Sequence, residues 1–279
     1  MSQKGFLGGL GMTRGRRCFG GVCMTTGRDA GIIHSMLSLS RVTKVYGKRK
    51  KRRLAVDDFS LDIDAPVFGF LGQNGAGKTT IIKMIVGLLE PTSGTIAIDG
   101  IPSMSAASKR RMGFMPETPY FYERMTGLEF MLFCAQLFPE SRKSDDALGE
   151  LLKKAGIYEA RNYEIRTYSK GMRQRLGFAQ SLVNDPGYLF LDEPLDGLDP
   201  IGRHDLKRSM LALKAEGRKI FLNTHILYDV EEICDEVGVI HEGKLLYAGP
   251  VANFCNGRPL EERFVETVRD YEQKNVTRS

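Results

Sequence analysis

The sequence holds no apolar run long enough to cross a bilayer. Its longest, such as "VFGFLG" and "MIVGLL", fall far short of the ~18 residues that a spanning helix needs. Any membrane role must therefore run through a partner. A C-x-x-C pair is also missing: the five cysteines, Cys18, Cys23, Cys134, Cys234 and Cys255, are scattered. That odd number reads as free thiols of a reducing compartment and points away from a metal site. Most of the chain has no basic excess either. Residues 54–279 hold 27 Lys and Arg against 33 Asp and Glu, a net of −6, while residues 1–53 hold 13 against one, a net of +12. A mildly acidic body lacks the broad positive footprint of a DNA- or RNA-binding surface, so no nucleic-acid partner is expected.

What is present is enough for one or two compact cores: 279 residues, 42% hydrophobic and 27% charged. Residues 1–35 are rich in Gly and Arg, lack periodicity and lack the apolar stretch of a signal peptide. They are expected to be a flexible basic tail, or residues ahead of the true start, with ordered sequence from Met36. An Arg-rich transit peptide is the weaker alternative.

From Leu37 the pattern alternates, "LSLSRVTKVYG" and then "LAVDDFSLDID", around the basic run "KRKKRR" at 48–53. Two strands joined by a charged, solvated turn account for this. "VFGFLG" reads as a strand covered on both faces, followed by a glycine-rich turn and the helix "KTTIIKMIVGLLE". "SGTIAIDG" alternates as a further strand. Residues 118–166 read mostly as helix, inserted before the buried strand "YLFLDEP". Then come the helix "GRHDLKRSMLALKAEG", the strand "KIFLNTH", the helix "LYDVEEICDEV", the strands "VGVIHEG" and "KLLYAGP", and a last polar helix around "PLEERFVETVRDYEQ". Strands alternating with helices predict an α/β sheet.

The chemistry concentrates in a few short segments. Residues 72–79, "GQNGAGKT", match G-x-x-x-x-G-K-[ST] between a strand and a helix, the context of a phosphate-binding loop. Gly72, Gly75 and Gly77 let the backbone curl so that amides face phosphate oxygens. The helix that starts near Lys78 aims its positive end at the same anion. Lys78 adds a point charge, and Thr79 offers a hydroxyl to Mg²⁺. The complementary half is "YLFLDEP": Asp192 ends a buried strand, placed to hold Mg²⁺, and Glu193 is placed to deprotonate a water.

These motifs, in this order, resemble the nucleotide-binding subunits of the ATP-binding cassette (ABC) superfamily, from about Leu37 to about Pro250. The resemblance implies a P-loop NTPase (RecA-like) α/β core with a mostly parallel sheet, an N-terminal antiparallel β subdomain and an inserted α-helical subdomain. It implies an ATPase domain over 36–250 and a C-terminal extension with a short helix over 251–279. ATP and Mg²⁺ are the implied cofactors. Gln73, Asn74, Ala76 and Thr80 complete the implied ATP loop, and Tyr46 resembles the aromatic that stacks on adenine, with an ordinary strand tyrosine as the alternative. Glu117 stands where the family carries a glutamine near Mg²⁺; a carboxylate still coordinates the ion but cannot donate an amide hydrogen bond. His225 resembles the histidine that contacts the γ-phosphate, and His34, His204 and His241 have no comparable support.

In this family a signature of the L-S-G-G-Q type precedes the second carboxylate motif. Here it reads "YSKGM", 168–172, where Ser169 and Gly171 match while Tyr168, Lys170 and Met172 depart. Departures of this kind resemble the export branch whose ATPase and membrane subunits are separate chains. The resemblance implies that Ser169, Gly171 and Asp199 act in trans on ATP held by a second copy, in a head-to-tail homodimer. It also implies integral membrane permease subunits as partners and a peripheral place on the cytoplasmic face of the membrane. Pro119, Tyr120, Phe121 and Tyr122 are either a docking surface for those subunits or packing between subdomains. Two other classes compete: an ABC-type ATPase of DNA repair or chromosome structure, and a P-loop kinase or GTPase. The insertion between the carboxylate and phosphate motifs is short for the first, and the second needs neither signature, Asp199 nor His225.

Overall fold

The computed structural model describes residues 37–47, 52–141 and 143–276. The tail at 1–35 and most of the basic run lie outside the described residues, as do Cys18, Cys23 and His34.

Two sheets form the body. In the first, β1 (Leu37–Tyr46) pairs antiparallel with β2 (Arg53–Ile63) on one side and β4 (Ser93–Ile98) on the other, and β5 (Ile101–Pro102) closes the edge. Leu37 faces Ile63 at one end and Tyr46 faces Arg53 at the other. The predicted alternation sends Leu37, Leu39, Val42, Phe59, Leu61 and Ile63 inward.

The second sheet has the order β10-β9-β3-β8-β7-β6. Its strands are β3 (Val67–Leu71), β6 (Met112–Met115), β7 (Tyr188–Asp192), β8 (Lys219–Asn223), β9 (Glu236–His241) and β10 (Lys244–Pro250). All neighbours run parallel except β10, which returns antiparallel on β9. All five residues of β3 are buried, because both of its faces are covered. One face turns Phe68 and Phe70 toward the first sheet, where Phe59, Phe190 and Phe221 join them with ring centroids 5.5–6.0 Å apart. The helix α1 (Lys78–Ile85) lies in the same core through Ile81, Ile82, Met84 and Ile85. It stops well before the predicted Glu90, since Gly87 turns the chain with a φ of +69°.

The segment predicted as mostly helix carries two α-helices and several short 3₁₀ turns. α3 (Gly127–Gln136) starts with a capping box between Thr126 and Glu129, and α4 (Asp145–Lys154) is capped by Ser144. Residues between α4 and the next helix fold back on α3, with the Ile165 amide donating to Met125 O and the Leu128 amide to Arg161 O. α5 (Lys170–Ser181), capped by Ser169, packs Leu176, Phe178 and Ala179 against this block and against the face of the parallel sheet. Four elements escape the sequence reading: the two-residue β5, the short helix Val251–Cys255, α2 (Ala106–Arg111), and β6, whose four residues "MGFM" are too few to show a period. α6 (Pro200–Ala215) and α7 (Leu227–Ile233) complete the parallel-sheet layers. At the C-terminus, α8 (Val251–Cys255) precedes α9 (Leu260–Val276), which is 17 residues long and packs Leu260 and Val268 inward. Tyr271 on α9 meets the buried His241 of β9 edge-on at 5.5 Å.

Candidate functional site

The C-terminal ends of β3, β7 and β8 open on a common cleft of about 300 Å³, where parallel α/β sheets bind ligands. Its floor is the loop between β3 and α1. Gly77 takes a φ of +109°, and a Cβ there would sit 2.7 Å from Ala55 O on the first sheet. Gly75, with a φ of +84°, has nothing within 4 Å of its Cβ position. The loop is thus pinned on one side and open on the other, the shape of a cradle. No side chain caps α1, so its first amides are left for a ligand. The loop is also tied sideways: the Gly243 amide donates to Ala76 O at 2.8 Å, and Gly243 O accepts from the Asp57 amide at 3.0 Å.

Lys78 is buried, and its Nζ donates to Gly72 O at 2.5 Å and Gln73 O at 3.2 Å. Burial pushes its pKa down, and the carboxylates of Glu193, Asp192 and Glu117 oppose that shift. Asp192 is 2% exposed at the end of β7 and accepts from Asn223 Nδ2 at 2.5 Å. Burial raises its pKa, and Glu117 and Glu193 add to the rise, while the Asn223 hydrogen bond and Lys78 oppose it. Asn223 Oδ1 is buried with no hydrogen-bond partner.

Glu193 sits at a φ of +51°, a conformation that a non-glycine residue adopts only when its surroundings impose it. Three bonds do so. Its amide donates to Asn223 O at 2.9 Å, and its carbonyl accepts from Gln174 Nε2 at 2.7 Å and from the Asp196 amide at 3.2 Å. Its carboxylate lies 2.9 Å from His225 Nδ1, with the His225 amide at 3.4 Å from the same oxygen. A carboxylate held this way, beside a phosphate cradle, suits it to take a proton from water.

The predicted residues divide into three groups. Tyr46, Asn74, Gly75, Gly77, Lys78, Thr79 and Thr80 line the cleft, as do Glu117, Glu193 and His225. Gly72, Ala76 and Asp192 are buried behind that surface, and Gln73 is exposed but is not part of its lining. Tyr46 Oη is 3.4 Å from Thr80 Oγ1. Ser169, Gly171 and Asp199 do not line this cleft. Ser169 caps α5 by accepting from the Met172 amide at 3.2 Å, and Asp199 caps α6 by accepting from the Gly202 amide at 2.9 Å.

Arg53, Ala55, Asp196 and Asn223 also line the cleft and were not singled out by motif. Asn223 had a signal in the sequence: it ends a buried strand two residues before His225, and in register it faces Asp192. Arg53 is brought in by strand pairing with Tyr46, which no motif encodes.

The donor set fits a nucleotide and a hard cation. Thr79 hydroxyl, Asp192 and Glu117 offer oxygen ligands of the kind that magnesium takes. No group of three His, Cys, Asp or Glu side chains among the described residues could hold a metal by itself. An ion here would complete its shell with phosphate oxygens and water.

The family profile described as ABC transporter matches residues 56–196. An uncharacterised ABC transporter ATP-binding protein of Nostoc sp. is 45% identical over 223 residues, covering 77% of this chain and 66% of its own length. A relative from Synechocystis is covered over only 53% of its length, so the chain spans between half and two thirds of these two proteins. The bacitracin transport ATP-binding protein of Bacillus licheniformis is 39% identical, covering 77% of this chain and 69% of its own. A solved ATP-binding subunit of an ABC transporter superposes with a TM-score of 0.74 at 30% identity, over 84% of this chain and all of that one.

Proposed function

The chain belongs to the ABC transporter family of ATP-binding proteins, and from that premise we propose that it is the ATP-hydrolysing subunit of an export system. It works as a head-to-tail pair of copies beneath separate membrane subunits. The observation that carries this reading is the contact of Glu193 with His225 at 2.9 Å over the cradle built by Gly75, Gly77 and Lys78.

In the reading proposed, the loop amides and Lys78 bind the triphosphate, and Tyr46 and Arg53 form the wall for the nucleoside end. Asp192 and Thr79 would hold magnesium, with Glu117 beside them; the ion supplies charge neutralisation on the phosphates. Glu193 accepts the proton of the attacking water, and His225 orients Glu193 and reaches toward the terminal phosphate.

The need for a second copy is supported by Ser169 and Gly171, which lie outside their own chain's cleft. The N-terminus of α5 is a helix end able to receive an anion, and a partner's triphosphate would be that anion. Membrane partners are supported by the transport relative, by Tyr120 at 94% and Tyr122 at 58% exposure, and by the want of any helix among the described residues that could cross a membrane. Phe121, between the two tyrosines, is half-buried against Phe130 at 5.1 Å, so packing and docking share this segment. The peripheral place on the cytoplasmic face follows from such partners. Export is supported by the resemblance that the "YSKGM" pattern carries, and a transport role by likeness to the bacitracin transport protein.

The test is Glu193→Gln. The variant should bind ATP, form a dimer in ATP but not in ADP, and lose turnover. Wild-type turnover in Glu193→Gln would refute the base assignment, and an ATP-bound monomer would refute the paired arrangement.

A further inference from the structure

Lys170 opens α5 beside Ser169, yet its side chain runs the other way, toward its own chain's cleft. Its Nζ pairs with Asp196 Oδ2 at 2.7 Å, and Asp196 lines the cleft with Glu193 and His225. The stem of Lys170 lies across Gly197: a Cβ on Gly197 would stand 2.6–2.9 Å from Cγ, Cδ and Cε of Lys170. Gly197 takes a φ of +71°, open to glycine, in the loop that also holds Glu193 at +51°. One turn further along the helix, Gln174 holds the Glu193 carbonyl. The first turns of α5 therefore grip the Glu193–Asp199 loop at three successive places, one of them through a charged pair. The Asp196 carboxyl is held below the ordinary range chiefly by its hydrogen bond from Lys170.

We propose that Lys170 is a positioning residue: through Asp196 it sets the loop that carries Glu193, and so links a chain's Ser169–Gly171 segment to that chain's own hydrolytic site. The intrachain link stands on the geometry above. Its consequence, that seating Ser169 on a partner's ATP is felt in the chain's own cleft, rests on the paired arrangement proposed above. Both ends of the link are solvent-exposed, so its strength is modest. An exposed ion pair shifts an equilibrium by about two- to fivefold.

The test is a double-mutant cycle of Lys170→Ala and Asp196→Ala, with Lys170→Arg as the conservative variant, read by steady-state ATP hydrolysis. Each alanine variant should lower kcat by about two- to fivefold, the size of an exposed pair, with KM for ATP unchanged. The double variant should fall no further than the singles, and Lys170→Arg should keep most of the activity. Losses that multiply in the double variant, or a rise in KM without a fall in kcat, would overturn the proposal. A parallel measurement places Lys170→Ala in the Glu193→Gln background, where ATP-driven dimerisation should persist. Loss of the dimer there would make Lys170 a direct ligand of the partner's nucleotide and also overturn the link. If Glu193→Gln alone stays monomeric, the paired arrangement fails, while the kcat cycle still decides the intrachain link.

Discussion

Gln174 of α5 donates from Nε2 to the carbonyl of Glu193 at 2.7 Å, inside the core. The helix that begins with the signature segment therefore holds the main chain of the proposed base. Replacing Gln174 by Ala removes a buried hydrogen bond and should cost about 1–2 kcal/mol of stability. Turnover should fall further than stability explains, by about tenfold, because the carboxylate loses its fixed geometry. Urea unfolding paired with steady-state hydrolysis measures both. An unchanged kcat would show that Glu193 is held by Asn223 and Asp196 alone.

Asp192 gives a prediction of opposite sign for stability and activity. Its pKa is raised by burial, so the folded protein binds that proton more readily than the unfolded chain. Folding stability from this group is thus gained as pH falls through the raised value, and at neutral pH the ionised form is a cost. Asp192→Asn removes that cost, and its new amide stands near the unpartnered Asn223 Oδ1. The magnesium-free variant should melt about 2–4 °C higher for each kcal/mol recovered, while magnesium-dependent hydrolysis is lost. A lower melting temperature would show that the carboxylate is favourably solvated.

Gly77→Ala should damage fold and site together. The φ of +109° is strained for any Cβ, and the added methyl meets Ala55 O at 2.7 Å. A loss of roughly 1–3 kcal/mol is expected from the conformation alone, with loss of ATP binding. Thermal unfolding with and without ATP separates the two effects: the wild-type shift with nucleotide should vanish in the variant.

The wall made by Tyr46 and Arg53 should act on affinity. Tyr46→Phe keeps a ring and should bind ATP as the wild type does, whereas Tyr46→Ala should lose about 1–3 kcal/mol if the ring stacks on the base. Arg53→Ala should raise KM for ATP several-fold and leave kcat in place. Titration of the variants with a fluorescent ATP analogue checks both. Equal affinity in all three would make Tyr46 and Arg53 a strand pair and nothing more.

Legibility in the sequence followed the range of each signal. The loop at 72–79 was legible because its glycines, Lys78 and Thr79 are consecutive and local conformation decides them. The α/β alternation was legible in strands such as Tyr188–Asp192, where buried runs are unbroken. β6 was not, because four residues carry no period and its place beside β7 is a tertiary fact. α1 was read too long because the apolar spacing continues through Leu88 and Leu89, whereas Gly87 turns the chain. Arg53, Asp196 and Gln174 joined the site only through pairing, a side-chain salt bridge and helix docking. Each of those is set by distance in space, which the order of residues does not record.

The turn at Gly243 has a consequence for how binding spreads. Its amide reaches Ala76 in the phosphate loop and its carbonyl takes the amide of Asp57 in β2. A ligand that stills the loop must quiet that relay as well. Hydrogen exchange at Asp57, on a strand of the antiparallel sheet, should slow on ATP addition even though Asp57 does not line the cleft. A backbone proton in one layer thus becomes a gauge of occupancy in the other.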